Sequence, residues 1–394
     1  MRRRLALAAA LTAMAAAQTA APAAQAGDLD ALIGRALFRR AWIPGTASAT
    51  ANDGLGPLYN ARACSACHQG LDGRPVAVAP DGRVTGENLV LRLSDAAGAP
   101  DPAYGRQIQT AGVPGVDPEG TVRRDGNGRY HLADSAYGPP AAGVRVGARA
   151  APPLRGLGRL AAVPEAAILA LAASQAGGGL RGRAHRPEGP EGPVGRFGAK
   201  ATAATLEAQV ATAFALDLGL STAERPAPGG DCTRIQAACL AAVRGDARPE
   251  IGAALVRHIA RYLASLEPPP APAPDPAGER LFAEAGCAAC HRPALPSPDG
   301  PVRAFTDLLL HDLGPDLDGG ATEPGIAPTE WRTAPLWGLA RRLALGAGLL
   351  HDARAAGVAQ AVRLHGGEAA ASRRRAEALP EAERARLFAY VGSL

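Results

Sequence analysis

The sequence predicts a mainly α chain made of two related units, the first enlarged by long loop insertions. Three observations predict it. The pattern Cys-x-x-Cys-His occurs twice, as "CSACH" at 64–68 and "CAACH" at 287–291. Matching landmarks flank the two copies. Gly34, Leu37 and Phe38 precede the first, and Gly278, Leu281 and Phe282 precede the second; "HIARYLASL" (258–266) closes the first unit and "RLFAYVGSL" (386–394) the second. Strand signals are scarce, because aromatics make up only 4% of the chain and alternating β-branched runs are rare.

The first 26 residues carry an Arg cluster (Arg2, Arg3, Arg4), a short apolar run and Ala24-Gln25-Ala26 before Gly27. This is the pattern of a secretory signal peptide cleaved after Ala26, and the run is too short for a membrane anchor. The reading is an exported protein without a transmembrane span, periplasmic in a Gram-negative cell. Cleavage drops three of the 42 basic residues against 37 acidic ones, leaving a net charge of +2. With no basic stripe interleaved with aromatics, nucleic-acid binding is excluded.

The mature chain divides into a first unit at 27–266, a Pro-rich linker "EPPPAPAPDP" at 267–276, and a second unit at 277–394. Three helix starts share a Pro-Glu signature, at Pro164-Glu165, Pro249-Glu250 and Pro380-Glu381. Proline suits the first turn and the carboxylate suits the positive end of the helix dipole. "LEAQVATAFAL" (206–216) has helical periodicity. The remainder is rich in Gly and Pro, and such a chain packs well only around a large bound group.

Cys-x-x-Cys-His is the attachment signature of c-type haem. Two thiols on one short turn reach the two haem vinyl groups, and the adjacent His is carried under the iron. A thioredoxin-like pair would sit in a βαβ context, which is absent here, and a four-cysteine zinc site would not explain a His after each pair. Cys64, Cys67 and His68 are thus assigned to one haem, and Cys287, Cys290 and His291 to a second. Cys232 and Cys239 remain. They read as a structural disulfide in an oxidising compartment rather than a reactive dithiol, since only Arg234 nearby would favour a thiolate.

The opposite side of each iron is open to question. Met1 and Met14 are the only methionines and both lie in the signal segment, so the mature chain offers no axial Met, the ligand that raises a cytochrome's potential. His131, His185 and His258 have no motif around them. His311 and His351 each follow an apolar run and precede an Asp that could orient the ring, which makes them candidate iron or propionate partners. His365, before Gly366-Gly367, also suits a helix C-terminus. Lys200 is the only lysine; it can ligate if deprotonated or simply hold a charge.

The stretches "DGLGPLYNARACSACHQGLDGRP" (53–75), "DPAYGRQIQ" (101–109), "RAAPPLRGLGRLAAVPE" (149–165), "GRFGAKATAATLEAQV" (195–210), "TDLLLHDLGPDL" (306–317), "EWRTAPLWGL" (330–339), "LLHDARA" and "HGGEAAASR" (349–373) together resemble the di-haem oxidoreductase family. Its members are labelled thiol oxidoreductases or putative peroxidases, and it is distantly similar to bacterial di-haem cytochrome c peroxidases. The resemblance implies two cytochrome c-like domains with one haem each. By analogy with the peroxidases, the haem on His68 meets peroxide and the haem on His291 receives electrons from a donor protein such as a small cytochrome. Those peroxidases hold a calcium ion between their domains, which extends calcium to this chain as a candidate. Tyr104, Gln107 and Gln109 fall in a matched stretch near the first site. With Glu87 and Glu119, the two glutamines are the candidates for moving a proton at peroxide.

The chain departs from the resemblance at four positions. Leu350 stands where the peroxidases have an axial Met. Leu218 and Leu313 stand where relatives often have Met, and Ala199 where they have a Trp that helps electrons cross. The function expected is a peroxidase-like di-haem oxidoreductase. The rivals are an electron-transfer cytochrome with both irons closed, and a non-catalytic haem-containing partner or sensor.

Overall fold

The computed structural model describes residues 23–46, 52–176, 179–243, 245 and 249–394, with side chains from Leu29 onward. The signal segment therefore lies almost wholly outside the described residues. The helices are α1 (Ala23–Arg39), α2 (Cys64–Cys67), α3 (Leu157–Ala161), α4 (Glu165–Gln175), α5 (Leu206–Asp217), α6 (Ala237–Ala241), α7 (Ala253–Ser265), α8 (Pro276–Glu284), α9 (Leu339–Ala344), α10 (Val358–Leu364), α11 (Ala370–Ala378) and α12 (Glu381–Ser393). The strands are β1 (Leu58–Tyr59), β2 (Leu89–Ser94), β3 (Ala111–Gly112), β4 (Thr121–Arg124), β5 (Tyr130–Ala133), β6 (Arg145–Ala150), β7 (Leu310–Asp312) and β8 (Glu330–Arg332).

The recurring sequence landmarks perform the same task twice. In the first half, α1 crosses α7 at Gly34, where a Cβ would collide with the His258 carbonyl. In the second half, α8 crosses α12 at Gly278, where a Cβ would lie 2.6 Å from the Tyr390 Cβ. Phe38 and Phe282, four residues on, are both buried. Each packs on a tyrosine of the closing helix, with ring centroids 5.4 Å apart for Phe38–Tyr262 and 5.7 Å for Phe282–Tyr390. Glycine is required at both crossings because the backbones approach more closely than any side chain allows. Around these pairs lie two main cores. The first draws on α1, α4, α5 and α7 and also on Leu295, Val302, Leu308 and Leu309 from beyond the Pro-rich stretch. The second gathers α8, α12, Phe305 and Leu349.

The mainly α expectation is corrected, because the fold is mixed. Four two-stranded antiparallel pairs occur among the described residues: β1–β3, β2–β6, β4–β5 and β7–β8. Two of them, β2–β6 and β4–β5, fall in the insertion of the first half, where Leu89, Leu91, Leu93, Tyr104, Ile108, Val122 and Ala148 form a separate core. The strands are short and studded with Arg, which hides them from a count of β-branched residues. Even so, β2 buries Leu89, Leu91 and Leu93 in strict alternation.

Two of the three Pro-Glu signals start helices as expected, with Pro164 and Pro380 immediately before α4 and α12. The third does not. Glu250 accepts hydrogen bonds from the Ser221 N–H (2.8 Å) and hydroxyl (2.7 Å), which holds the chain extended until α7 begins at Ala253. The helix read over 206–216 is α5, capped by Thr205, whose hydroxyl accepts from Ala208 N. Among the described residues no helix is long and apolar enough to cross a membrane.

Candidate functional site

The two pentapeptides fold alike. The first forms the single turn α2, closed by a bond from His68 N to the Cys64 carbonyl (3.0 Å). The second forms a tight turn at Cys287–Ala289, closed by His291 N to the Cys287 carbonyl (3.0 Å). Both histidine side chains are then oriented by a distant backbone carbonyl: His68 Nδ1 donates to Pro152 O (3.1 Å) and His291 Nδ1 to Phe305 O (3.0 Å). This leaves each Nε2 without a hydrogen-bond partner among the described residues. An imidazole tethered through Nδ1 with Nε2 free is the arrangement of an oriented metal ligand. Burial lowers the pKa of both rings, that of His291 to about 4, so both are neutral and able to donate a lone pair. The four thiols are free. Burial raises Cys64 to about 12 and Cys287 to about 11, with Asp217 adding to the rise at Cys64. Cys67 is raised as well, so none of these three is poised as a thiolate nucleophile.

Beside the first pentapeptide lies a buried polar network. It brings together Gln107, Gln109 and Glu119, three of the residues expected to handle protons. Each is at most 2% exposed. Gln107 Nε2 donates to Asn60 Oδ1 (2.6 Å), Leu216 O (2.9 Å) and Asp217 Oδ1 (2.8 Å). Gln109 Nε2 donates to Leu216 O (2.8 Å). Glu119 accepts from Gln109 N (2.6 Å) through one oxygen and from Gln236 Nε2 through the other. The network ends on Asp217, whose charge is felt by Cys64, Cys67 and His68. Gln107 Oε1 and Gln109 Oε1 are buried and accept no hydrogen bond. Their amide orientations are fixed by what the nitrogens donate to, so both oxygens keep their acceptor capacity unused. Burial raises Glu119 to about 8, with its two hydrogen bonds pulling against that rise and Asp231 and Asp101 adding to it.

Other candidates sit differently. The Glu87 side chain is exposed, and only its backbone carbonyl meets the site, accepting from the Cys67 thiol. Tyr104 is fully buried in the insertion core with its hydroxyl donated to Gly138 O, so it does not line the first site. His311 is pinned by both ring nitrogens, Nε2 to Asp307 (2.9 Å) and Nδ1 to Glu368 (2.9 Å), and lies 3.8 Å from the Cys290 sulfur. Burial opposes its charge, but these partners raise it to about 12. Both ring nitrogens are thus engaged by carboxylates, which favours the charged ring. His351 is stacked on Trp331, with centroids 3.8 Å apart and planes 10° apart. It lines a cavity of about 420 Å³ with Arg129, Arg145 and Arg354. Lys200 is buried, donating to the carbonyls of Ala327 (2.9 Å), Pro328 (3.1 Å) and Glu330 (2.7 Å) beneath Trp331. Burial lowers its pKa to about 7, with Arg149 adding to the fall. Cys232 and Cys239 form a disulfide, with Cα atoms 6.0 Å apart.

Compared with known families, the chain matches the one described as "di-haem oxidoreductase, putative peroxidase" over residues 140–394. The chain belongs to the di-haem oxidoreductase family. The matched range holds the second pentapeptide; the first pentapeptide and the Gln107–Glu119 network lie before it. No curated protein matches. Among solved structures, a chain of Kuenenia stuttgartiensis hydrazine synthase pressurised with 20 bar xenon aligns at 19% identity and a TM-score of 0.25, over 36% of this chain and 55% of that one. The chain thus spans about half the length of that neighbour, and a likeness at this level carries no argument.

Membership of the di-haem oxidoreductase family implies two haems. The residues fit them: two sites, each with two free thiols on one turn and one neutral imidazole whose Nε2 is free. Calcium finds no such fit in the one convergent cluster of His, Cys, Asp or Glu among the described residues. Cys290, Asp307 and His311 offer a sulfur and an imidazole where calcium takes oxygen. The sequence reading missed Asn60, Asp217 and Gln236, which complete the network, and underrated His365. At the end of α10, His365 Nδ1 donates to Ala361 O (2.7 Å), leaving Nε2 free as in His68 and His291. It also sits close enough to depress the pKa of His291.

Proposed function

We propose that this di-haem oxidoreductase is an exported, peroxidase-like enzyme that carries two covalently attached haems. Cys64 and Cys67 would attach the first with His68 as its ligand, and Cys287 and Cys290 the second with His291. When bound, the haems supply reversible one-electron chemistry and a metal able to polarise a peroxide. The overall reaction takes one peroxide, two electrons and two protons to two waters, and the electrons come from an external donor protein such as a small cytochrome.

The observation that carries this reading is the buried network beside the first pentapeptide. Below about pH 8 Glu119 holds a proton at a site with no bulk water around it. Gln107 and Gln109 present two unpaired carbonyl oxygens, which orient a protic small molecule by accepting from it. Asp217 and Asn60 fix the first glutamine. Together these residues supply a proton donor and its alignment, the two things O–O cleavage asks of a protein. Around His291 the same purpose is not served: His311 is locked between carboxylates, and His365 is free to take a second coordination position. A closed second iron suits electron entry.

The test is a spectrum of the purified holoprotein by electron paramagnetic resonance and visible absorption, fully oxidised and then half-reduced, before and after peroxide. A high-spin ferric signal that peroxide removes is expected. Two low-spin signals indifferent to peroxide in both states would replace this reading with a plain electron carrier.

A further inference from the structure

The loop that follows α5 reaches back over the proton network and touches it at several points. Asp231 accepts from Gln107 N (3.0 Å) and from Arg106 N. Gly105 is in a left-handed conformation directly against the Asp231 carboxylate, where any Cβ would collide with it. Thr233 Oγ1 donates to Ala103 O (3.1 Å). The Cys232–Cys239 disulfide closes this loop across a separation of seven residues. Inside it, Gln236 is fully buried and its amide can face only one way. Its Oε1 accepts from Thr233 N (2.7 Å), so its Nε2 is turned onto Glu119 Oε1.

We propose that Gln236, carried on the Cys232–Cys239 loop, is a positioning residue that sets the orientation and proton affinity of Glu119. This rests on the reading of Glu119 as the proton donor. The amide N–H favours the ionised carboxylate, and so does Gln109 N on the other oxygen. The remaining groups facing Glu119 are acidic: Asp231 and Asp101, with the Tyr137 phenol near by. Arg92 and Arg106 act on Asp231 rather than on Glu119. Gln236 is thus the side-chain donor that opposes burial, and the disulfide holds it in place.

The experiment is an infrared pH titration of the full holoprotein, in which the protonated carboxyl band lost in Glu119→Gln identifies Glu119. Gln236→Leu is expected to move its midpoint to higher pH by about one to two units, the size of a hydrogen bond to a charged group. The Cys232→Ser/Cys239→Ser double variant is expected to move it the same way by less, and it serves as the reading if the leucine variant does not accumulate with both haems. An unchanged midpoint in a variant with normal haem content overturns the proposal, as does a wild-type protein with no Glu119 band at any pH. Peroxide turnover is measured alongside. If the wild type has none, the peroxidase reading fails while the midpoint still decides the role of Gln236; if turnover is present and the midpoint does not move, only the role of Gln236 fails.

Discussion

The two pentapeptides share their turn, their closing backbone bond and the tether on the histidine, yet their surroundings diverge. The first is backed by amides and a protonatable carboxyl: Asn60, Gln107, Gln109, Glu119 and Gln236. The second is backed by fixed charge and imidazole. Asp307 and Glu368 clamp His311, Gln175 donates to Asp307 (3.1 Å), and His365 waits with a free nitrogen. A recurring motif can keep its turn and its histidine tether constant while its surroundings change. One copy has acquired neutral groups that can pass or hold a proton. The other has acquired ionic pairs whose partners leave no proton to spare.

The comparison breaks most completely if either attachment site is removed. Cys64→Ser with Cys67→Ser is expected to abolish peroxide turnover and to lower the intact mass by one haem. Cys287→Ser with Cys290→Ser should lower it by the same amount while blocking reduction by an external donor. A protein that keeps both haems after either change would show that the thiols do not attach them. The next largest effect is on Glu119→Gln, which keeps the shape and removes the transferable proton. Peroxide turnover should fall about 10²–10⁴-fold, with the spectrum of the second haem unchanged. A fall below about tenfold would remove Glu119 from the reaction.

The second half gives a sharper, smaller contrast. His365→Gly should convert a low-spin ferric signal to high-spin, and His365→Met should raise that haem's midpoint potential, since thioether ligation favours the reduced iron. The same changes at His311 should leave the spin state alone, because both its nitrogens are already bonded to carboxylates. A spin change at His311 and none at His365 would reverse the assignment.

How legible this was depended on the range of the interaction. The pentapeptides stood out at once, because their pattern needs only neighbours in sequence. Gly34 with Phe38 and Gly278 with Phe282 were legible because they recur, and the two helix crossings explain why they must. Gln107, Gln109 and Glu119 stood out only beside stretches with a family resemblance, and nothing in their spacing marked them as one site. Their partners could not be found at all, since Gln236 is 117 residues from Glu119 and Asp217 is 110 from Gln107. The histidines were legible in part. The Asp after His351 does lie beside its ring, Asp352 Oδ2 being 3.8 Å from Nε2, but the groups that bond His311 are Asp307, four residues earlier, and Glu368, 57 residues away. The strands of the insertion were hard to see because β2 and β6 are six residues each, with one valine apiece and with Arg92, Arg145 and Arg149 among them.

The last effect expected is on stability, and its pH window separates the two halves again. Glu119 has an ordinary pKa of 4.5 and a folded value of about 8. Between those pH values the folded chain holds a proton that the unfolded chain has released. Stability from this group is therefore fully present below about pH 4.5 and declines as pH rises, by up to about 1.4 kcal/mol per unit, until about pH 8. His311 has the same sign over a higher window. Its raised value means its stabilisation is present below pH 6.5 and lost only as pH climbs toward about 12. Denaturant unfolding of the holoprotein between about pH 5 and pH 8 should show Glu119→Gln flattening the decline. A His311→Gln variant should be weaker than wild type throughout and lose that deficit only in strong alkali. If Glu119→Gln keeps the wild-type slope, the carboxyl is ionised in the folded protein, and the first pentapeptide has no stored proton beside it.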